Sequence, residues 1–199
     1  MTRRALRRGL ELLMVFLASC YAHAQSSSID VANSKLIVHV SKAGLFSAFG
    51  DNHEVAAPIS AGSVDEAARK VTFVIEAARL KVLDPQLASD KREQVQQRML
   101  GPDVLDVAHF AQIRFESTTV SGANDRWNVE GQLSLHGATR PIVLNVRQEN
   151  GHYIGACTIK QRDFGITPVS VGGGTVKVKD ELKIDFDVVT KVANKNQRP

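Results

Sequence analysis

The chain is poor in cysteine, with two among 199 residues, and poor in aromatic side chains, which make up 6% of it. Cys20 lies in an N-terminal stretch typical of an export signal, which leaves Cys157 alone in the rest of the chain. An internal disulfide is therefore excluded after export, and stability must come from a hydrophobic core. The remainder, about 175 residues, suffices for one domain with such a core.

Long apolar runs are also scarce, and residues 10–18, the clearest of them, are too short to span a bilayer. This run follows four arginines and precedes Ala22-His23-Ala24, a small-x-small cleavage site. The arrangement predicts a signal peptide over residues 1–24. A second interpretation stays open, because Leu17-Ala18-Ser19-Cys20 is similar to a bacterial lipobox and would make Cys20 the anchor of a lipoprotein.

Once the signal is removed, the chain has little net charge. Residues 1–24 hold four arginines and one glutamate, so their loss lowers the formal net charge from +4 to +1. This balance does not favour nucleic-acid binding, and no nucleic-acid partner is expected. Residues 25–199 contain no linker or long repeat, which predicts a single domain.

The clearest local pattern is a two-residue alternation of apolar and polar side chains over residues 127–146. Every second residue from Trp127 to Leu135 is apolar or glycine, which is the period of a strand. The alternation breaks at residues 137–141 and resumes at Ile142, which predicts two antiparallel strands joined by a short loop. Pro141 has no N–H for a ladder, so we expect it at the first position of the second strand.

The same unit recurs on both sides of this hairpin. Upstream, residues 112–119 alternate and lead into a predicted turn at residues 121–125. Downstream, Asn150-Gly151 is a strong hairpin signal that leads into strands at residues 153–159 and 176–188. Five strands with short links form an antiparallel meander, which must close on itself or stack on a second sheet. A barrel is the simpler solution.

The segment before the meander is less regular. Strands are predicted over residues 35–40, 52–59 and 71–77, with a glycine-bounded apolar turn over residues 42–50.

One credible helix lies between the two groups of strands. Asp90 and Glu93 fit a capping box, residues 91–100 contain no glycine or proline, and Gly101-Pro102 ends the run. The apolar stripe of this helix is narrow, which is typical of a single helix lying on a barrel or plugging one end. We therefore predict an all-β, antiparallel, eight-stranded barrel with one α-helix.

Five short motifs, in order along the chain, connect it to a known family. They are Gly50-Asp51-Asn52-His53; Leu105-Asp106 followed by Phe115-Glu116-Ser117; Gly131-Gln132-Leu133-Ser134-Leu135-His136-Gly137; Asp163-Phe164-Gly165-Ile166; and Val178-Lys179-Asp180-Glu181. From Ser34 to Val189 the chain resembles the YceI-like family. Where related sequences carry a second histidine before His53, this chain has Asp51.

The resemblance implies an extended lipocalin-like barrel that is exported to the periplasm. It also implies a long-chain amphiphile, such as a polyisoprenoid or an isoprenoid quinone, held in a hydrophobic tunnel. No cofactor other than such a lipid is expected. Transient membrane contact and a homodimer remain open.

The residues support a lipid site independently of the resemblance. An eight-stranded barrel is either packed solid or holds one small ligand, and a wall of Val, Ile, Leu and Ala with few aromatic rings favours a tunnel. Burying an isoprenoid chain contributes roughly 25 cal/mol per Å² of apolar area. Strand phase selects the wall residues Phe46, Phe73, Phe115, Leu133, Leu135, Ile184 and Phe186.

Three polar residues are candidates for binding a head group at an end of the barrel: His53, Arg162 and Asp180. Asp180 shares the phase of the apolar residues in the last strand, so it should point inward unless a bulge shifts the register. A buried carboxylate needs a partner, and Arg162 is the first choice, with Lys160 second. His53 follows a glycine turn where a barrel mouth is expected. A purely structural salt bridge or a loop histidine are the competing interpretations.

Metal binding and catalysis have little support in the sequence. The histidines lack tight ligand spacing such as HxH or HExxH, so no metal site is predicted. No G-x-S-x-G elbow is present, and Cys157 has no evident base beside it, so no catalytic residue is assigned and no enzyme is expected. A lipid carrier is the preferred function. An enzyme acting on a lipid and a solid structural or partner-binding barrel are the alternatives.

Overall fold

The computed structural model describes residues 26–43, 52–171 and 176–191. The predicted signal peptide, Phe46 and residues 172–175 of the glycine-rich passage lie outside these ranges. The described residues form twelve strands and one α-helix, together with two short 3-10 turns. In chain order the strands and the helix are β1 (Ser27–Ser28), β2 (Lys35–Ala43), β3 (His53–Ala56), β4 (Ala61–Asp65), β5 (Lys70–Glu76), β6 (Lys81–Val82), α1 (Ser89–Leu100), β7 (Gln112–Ala123), β8 (Arg126–Leu135), β9 (Ala138–Glu149), β10 (His152–Lys160), β11 (Ser170–Val171) and β12 (Val176–Val189).

The strands form one antiparallel sheet in the order β1-β4-β5-β7-β8-β9-β10-β12-β2-β3-β6, with β11 paired to β12. Although β1 lies at one end of this order, Ile29 bridges to Thr190 directly after β12. The Asp30 N–H donates to the Val189 carbonyl at 2.7 Å, and the Ile29 N–H donates to the Gly62 carbonyl at 2.9 Å. The segment that begins with β1 therefore joins β4 to the end of β12, and the sheet curls into a barrel.

The predicted fold class is confirmed, although the number of strands differs. If β1 with β2, and β3 with β4, are each counted as one bent strand, a circuit around the barrel crosses eight strands. Strands predicted over residues 35–40, 71–77, 112–119, 127–135, 153–159 and 176–188 correspond to β2, β5, β7, β8, β10 and β12. The strand predicted over residues 52–59 ends early, because Pro58 lies in the bend between β3 and β4.

The loop predicted at residues 137–141 is wrong, as is the position of Pro141. His136 and Gly137 both have positive φ, 49° and 74°, and close the hairpin in two residues. Pro141 therefore lies inside β9, opposite Gln132. The missing N–H is tolerated there because β10 pairs only with residues 145–149 of β9, which leaves no ladder on the other side of Pro141.

Two other hairpins follow the same turn chemistry. The Asn150-Gly151 turn is confirmed, with φ of 52° and 83°. The turn predicted over residues 121–125 is shorter than expected, because β7 continues to Ala123 and only Asn124 and Asp125, with φ of 53° and 62°, make the turn.

The helix α1 is confirmed, but the predicted capping box is wrong. Its N-cap is Ala88, which makes no side-chain cap hydrogen bond, whereas Gly101 ends the helix as predicted. No residue of α1 is buried. Gln96 attaches the helix to β6: its Nε2 donates to the Leu80 carbonyl, and its Oε1 accepts from the Val82 N–H, both at 2.8 Å. The side-chain amide thus hydrogen-bonds the backbone of an edge strand, and the helix lies across one end of the barrel.

No helix among the described residues is long and apolar enough to cross a membrane.

Candidate functional site

The barrel interior contains a cavity of about 580 Å³. Its wall is mainly aliphatic and is supplied by inward-facing residues of the long strands and by one face of α1. Ligand pockets in proteins commonly measure roughly 300–1,000 Å³. The space is therefore large enough for an apolar chain of a few isoprene units.

The structure brings six of the ten residues selected from sequence into the cavity wall. They are His53, Phe73, Leu133, Leu135, Ile184 and Phe186. Phe115 is not part of the wall: it is 2% exposed and stacks on Phe73, with ring centroids 5.1 Å apart. Phe46 lies outside the described residues. The ligand-binding role of all these side chains stays a prediction.

Two glycines explain how the ring of Phe186, in the cavity wall, and the ring of Phe115, which stacks on the wall residue Phe73, leave the lumen unfilled. A Cβ at Gly131 would lie 2.5 Å from the Cζ atom of Phe115, and a Cβ at Gly155 would lie 2.5 Å from Cζ of Phe186. Each ring therefore lies against bare backbone of a neighbouring strand. The central space is left to a ligand-sized cavity.

Arg162 and Asp180 do not line the cavity. The register of β12 against β2 shifts between Val178 and Leu182, so Asp180 lies in an irregular stretch of the strand. Its Oδ1 accepts a hydrogen bond from the Arg162 backbone N–H at 3.0 Å, and its Oδ2 lies 4.0 Å from the Arg162 Nε. The inward orientation predicted for Asp180 is wrong for the reason foreseen, a bulge. The expected pairing with Arg162 is present, but the pair is not buried: the side chain of Asp180 is 31% exposed and that of Arg162 is 71% exposed.

His53, in the cavity wall, is paired with a buried aspartate that the sequence did not identify. The Nδ1 atom of His53 lies 2.5 Å from Oδ2 of Asp84. Asp84 is 9% exposed, and its Oδ1 also accepts a hydrogen bond from the Glu54 N–H at 2.9 Å. Asp84 had one sequence signal, an aspartate directly after the apolar run Val82-Leu83, but nothing in the sequence linked it to a histidine 31 residues earlier.

The chemistry of this pair assigns the tautomer of His53. An ionised carboxylate only accepts hydrogen bonds, so Nδ1 of His53 carries the hydrogen that faces Asp84. Nε2 is then the free end of a ring that lines the cavity. It accepts a hydrogen bond when the ring is neutral and donates one when the ring is protonated.

The two ends of the cavity differ in their polar residues. At the end covered by α1, which we call the helix mouth, the lining includes Lys42, His53, Lys91, Arg98 and Lys177. At the opposite end, which we call the hairpin mouth, the lining includes Asp65, Glu66, Arg69 and Lys70 from the tip of the β4–β5 hairpin.

The hairpin mouth also holds a tyrosine whose hydroxyl is not available as an acid. The Tyr153 hydroxyl donates a hydrogen bond to Oε1 of Glu66. Burial, with the Glu66 hydrogen bond and charge as smaller contributions, raises the pKa of Tyr153 well above its ordinary value. Tyr153 is therefore a neutral hydrogen-bonding group at neutral pH.

The other histidines of the described ranges contact other partners. His39 lies 2.9 Å from Asp185, His109 2.8 Å from Asp106, and His152 2.7 Å from Asp187. His136 Nδ1 lies 3.2 Å from the Phe164 carbonyl. Within the described ranges, no group of three or more His, Cys, Asp or Glu side chains is placed to hold a metal ion.

Residues 28–190 of this chain match the family model of the YceI-like domain. A UPF0312 protein of Pseudomonas savastanoi pv. phaseolicola is 34% identical over 101 residues, which are 45% of this chain and 50% of that protein. A UPF0312 protein of Vibrio cholerae is 32% identical over 95 residues, 42% of this chain and 48% of that protein. The chain thus spans about half the length of the curated relatives it matches. None of these names states a catalytic activity.

A solved structure supports the same architecture. BcnA of Burkholderia cenocepacia matches with a TM-score of 0.56 and 21% identity, covering 80% of this chain and 98% of BcnA. At this identity the likeness shows the fold alone. Because the family match extends from β1 to the residue after β12, the chain belongs to the YceI-like family.

Proposed function

We propose that this protein binds and carries a long-chain amphiphilic lipid, a polyisoprenoid or an isoprenoid quinone, without chemical change. The observation that supports this most directly is the apolar cavity of about 580 Å³ inside the barrel. Each buried CH₂ group contributes about 0.8 kcal/mol, so several isoprene units bind without any polar contact. The predicted signal peptide is the reason to expect a periplasmic carrier that contacts a membrane to load its lipid.

The alternatives fit the cavity less well. A solid structural barrel requires a filled interior. An enzyme requires an activated nucleophile or a converging acid and base. Cys157 lines the cavity, but burial, with the Asp185 charge second, raises the pKa of its thiol to about 11, which makes it a poor nucleophile at neutral pH.

The decisive experiment is native mass spectrometry of the protein purified from its own periplasm, followed by organic extraction and identification of bound molecules. We expect one isoprenoid lipid per chain. Trp127, the single tryptophan, lines the cavity, so its fluorescence reports binding of added lipid to stripped protein. Absence of a co-purified lipid together with no response to added isoprenoids would contradict the proposal.

A pair of arginine substitutions tests the position of the lipid. Leu133 is 5% exposed on the cavity wall, and Leu133→Arg should abolish lipid binding or folding because it buries an unpaired charge. Val143 is 46% exposed on β9, so Val143→Arg is the matched control and should bind normally. A Leu133→Arg protein that folds and binds like the wild type would rule out a ligand in this cavity.

A further inference from the structure

The charges along the cavity are strongly asymmetric. The acidic residues of its described lining, Asp65 and Glu66, both lie at the hairpin mouth, where Arg69 and Lys70 balance them. The described lining of the helix mouth contains lysine and arginine but no aspartate or glutamate. In the described part of its lining, one end of an otherwise apolar cavity is therefore cationic.

The cations of the helix mouth come from three elements that meet at the same end of the barrel. Lys42 is near the end of β2, and Lys177 is near the start of β12, where it pairs with Ala43. Lys91 and Arg98 are seven residues apart, or about two turns, so they share one face of α1. That face is the one that lines the cavity.

The ion pairs among the described residues leave the two cations of α1 and Lys177 without a carboxylate partner. In the part of the chain that the structure describes, no acidic side chain forms an ion pair with Lys91, Arg98 or Lys177. Cationic groups of one sign around a cleft with low-dielectric walls focus the electric field and raise the local concentration of anions. Their mutual repulsion is relieved when an anion binds.

We infer that the bound amphiphile has an anionic head group, a phosphate monoester or a carboxylate, that lies at the helix mouth with its isoprenoid chain extending toward the hairpin mouth. This inference rests on the proposed lipid-binding function and specifies the class of lipid. Charge-assisted hydrogen bonds from ammonium and guanidinium groups are stronger than those to a neutral quinone or alcohol. The apolar wall supplies affinity for the chain, and the helix mouth selects the head.

Three probes with one chain and different heads test the inference: farnesyl phosphate, farnesoic acid and farnesol. We expect farnesyl phosphate to bind at least tenfold more tightly than farnesol at low salt, as measured by Trp127 fluorescence, and this advantage to shrink at high salt. Farnesoic acid distinguishes a general anion preference from a preference for phosphate. Equal affinity for all three would overturn the inference but leave the lipid-binding function intact. Binding of none of them would overturn the function itself.

A charge-matched pair of variants locates the head group. Lys91→Gln/Arg98→Gln removes two exposed cations of α1 and should weaken farnesyl phosphate binding about tenfold and farnesol binding much less. Arg140→Gln/Lys183→Gln removes two exposed cations outside the cavity and should change neither. Thermal unfolding checks that both proteins fold. An equal loss of both probes in the first variant, or an equal loss of farnesyl phosphate in the two variants, would contradict the assignment.

Discussion

At the scale of single residues, Asp84 shows most clearly how burial constrains a polar group. It is 9% exposed and uses one carboxylate oxygen for the Glu54 N–H and the other for His53. Leaving the buried carboxylate without these hydrogen bonds would lower the stability of the fold. Removing the carboxylate would lower it too, because the groups that donate to it would lose their acceptor. Asp84 therefore stabilises the start of β3 and orients the imidazole at the helix mouth.

Asp84→Ala is expected to lower the free energy of unfolding by about 1–3 kcal/mol, because the Glu54 N–H loses its acceptor inside the protein. Asp84→Asn keeps an oxygen acceptor of the same shape and should cost less. Urea unfolding of both variants beside the wild type measures the difference. Equal stability of all three proteins would show that the pair contributes nothing to the fold.

Cys157 provides a chemical reporter of the cavity. Burial, with the Asp185 charge second, raises the pKa of its thiol from 9.0 to about 11, which lowers the thiolate fraction at pH 8 about a hundredfold. In a Cys20→Ser background, iodoacetamide should alkylate Cys157 of the folded protein at pH 8 at least about a hundredfold more slowly than in urea. The rate should rise as the pH approaches 11. Bound farnesol should lower the rate further. Rapid alkylation at the same rate with and without bound lipid would place Cys157 outside the binding site.

At the scale of the elements, the local sequence predicts that α1 is a helix but does not predict how it is attached to the barrel. Its range can be predicted from the local sequence, because the helix-forming residues before Gly101 are uninterrupted. Its attachment depends on Gln96, whose amide lies against the backbone of β6, fourteen or more residues earlier. Although α1 buries no residue fully, Val95, Met99 and Leu100 pack against the core, and these two hydrogen bonds add a polar attachment over the cavity.

Gln96→Ala should therefore lower stability by about 1–2 kcal/mol, roughly the net value of two hydrogen bonds, and accelerate amide hydrogen exchange in α1 and β6. Gln97→Ala is the matched control, because Gln97 is exposed and its side chain donates to Glu93 within the helix. Identical exchange in the two variants would mean that α1 is held by its apolar contacts instead.

At the scale of the whole molecule, the cavity exists because no wall residue fills the centre of the barrel. The rings of Phe186, in the wall, and of Phe115, outside it, lie against glycine backbone, and the other wall residues are mainly aliphatic. A barrel of the same topology with larger inward side chains would be solid. The size of the cavity, on which the proposed function depends, is thus set by the inward side chains of many strands.

Val38→Phe tests this dependence. Val38 lines the cavity opposite Ile184, so the added ring should occupy part of the space and weaken farnesol binding at least tenfold with little loss of stability. Ile37, the preceding residue of β2, does not line the cavity, and Ile37→Phe adds the same kind of ring outside. Fluorescence titration compares them. Equal affinities in both variants would contradict a lipid held against the inner face of β2 and β12.

The sequence by itself determined the features that depend on neighbouring residues. Two-residue alternation defined most long strands, Asn150-Gly151 defined a hairpin, and the run ending at Gly101 defined the helix, because dihedral preferences and side-chain direction act over a few residues. The family motifs led to the correct fold. Phe73, Leu133, Leu135, Ile184 and Phe186 were placed on the cavity wall by strand phase alone.

The tertiary structure decided what depends on residues far apart in the chain. Asp180 left the predicted phase because β12 contains a bulge that only its pairing with β2 reveals. Asp84 became a partner of His53 because β3 and β6 are adjacent in the sheet. The cationic helix mouth formed because α1 crosses the barrel end where β2 and β12 meet. Such contacts join residues separated by tens of positions, and no local preference encodes them.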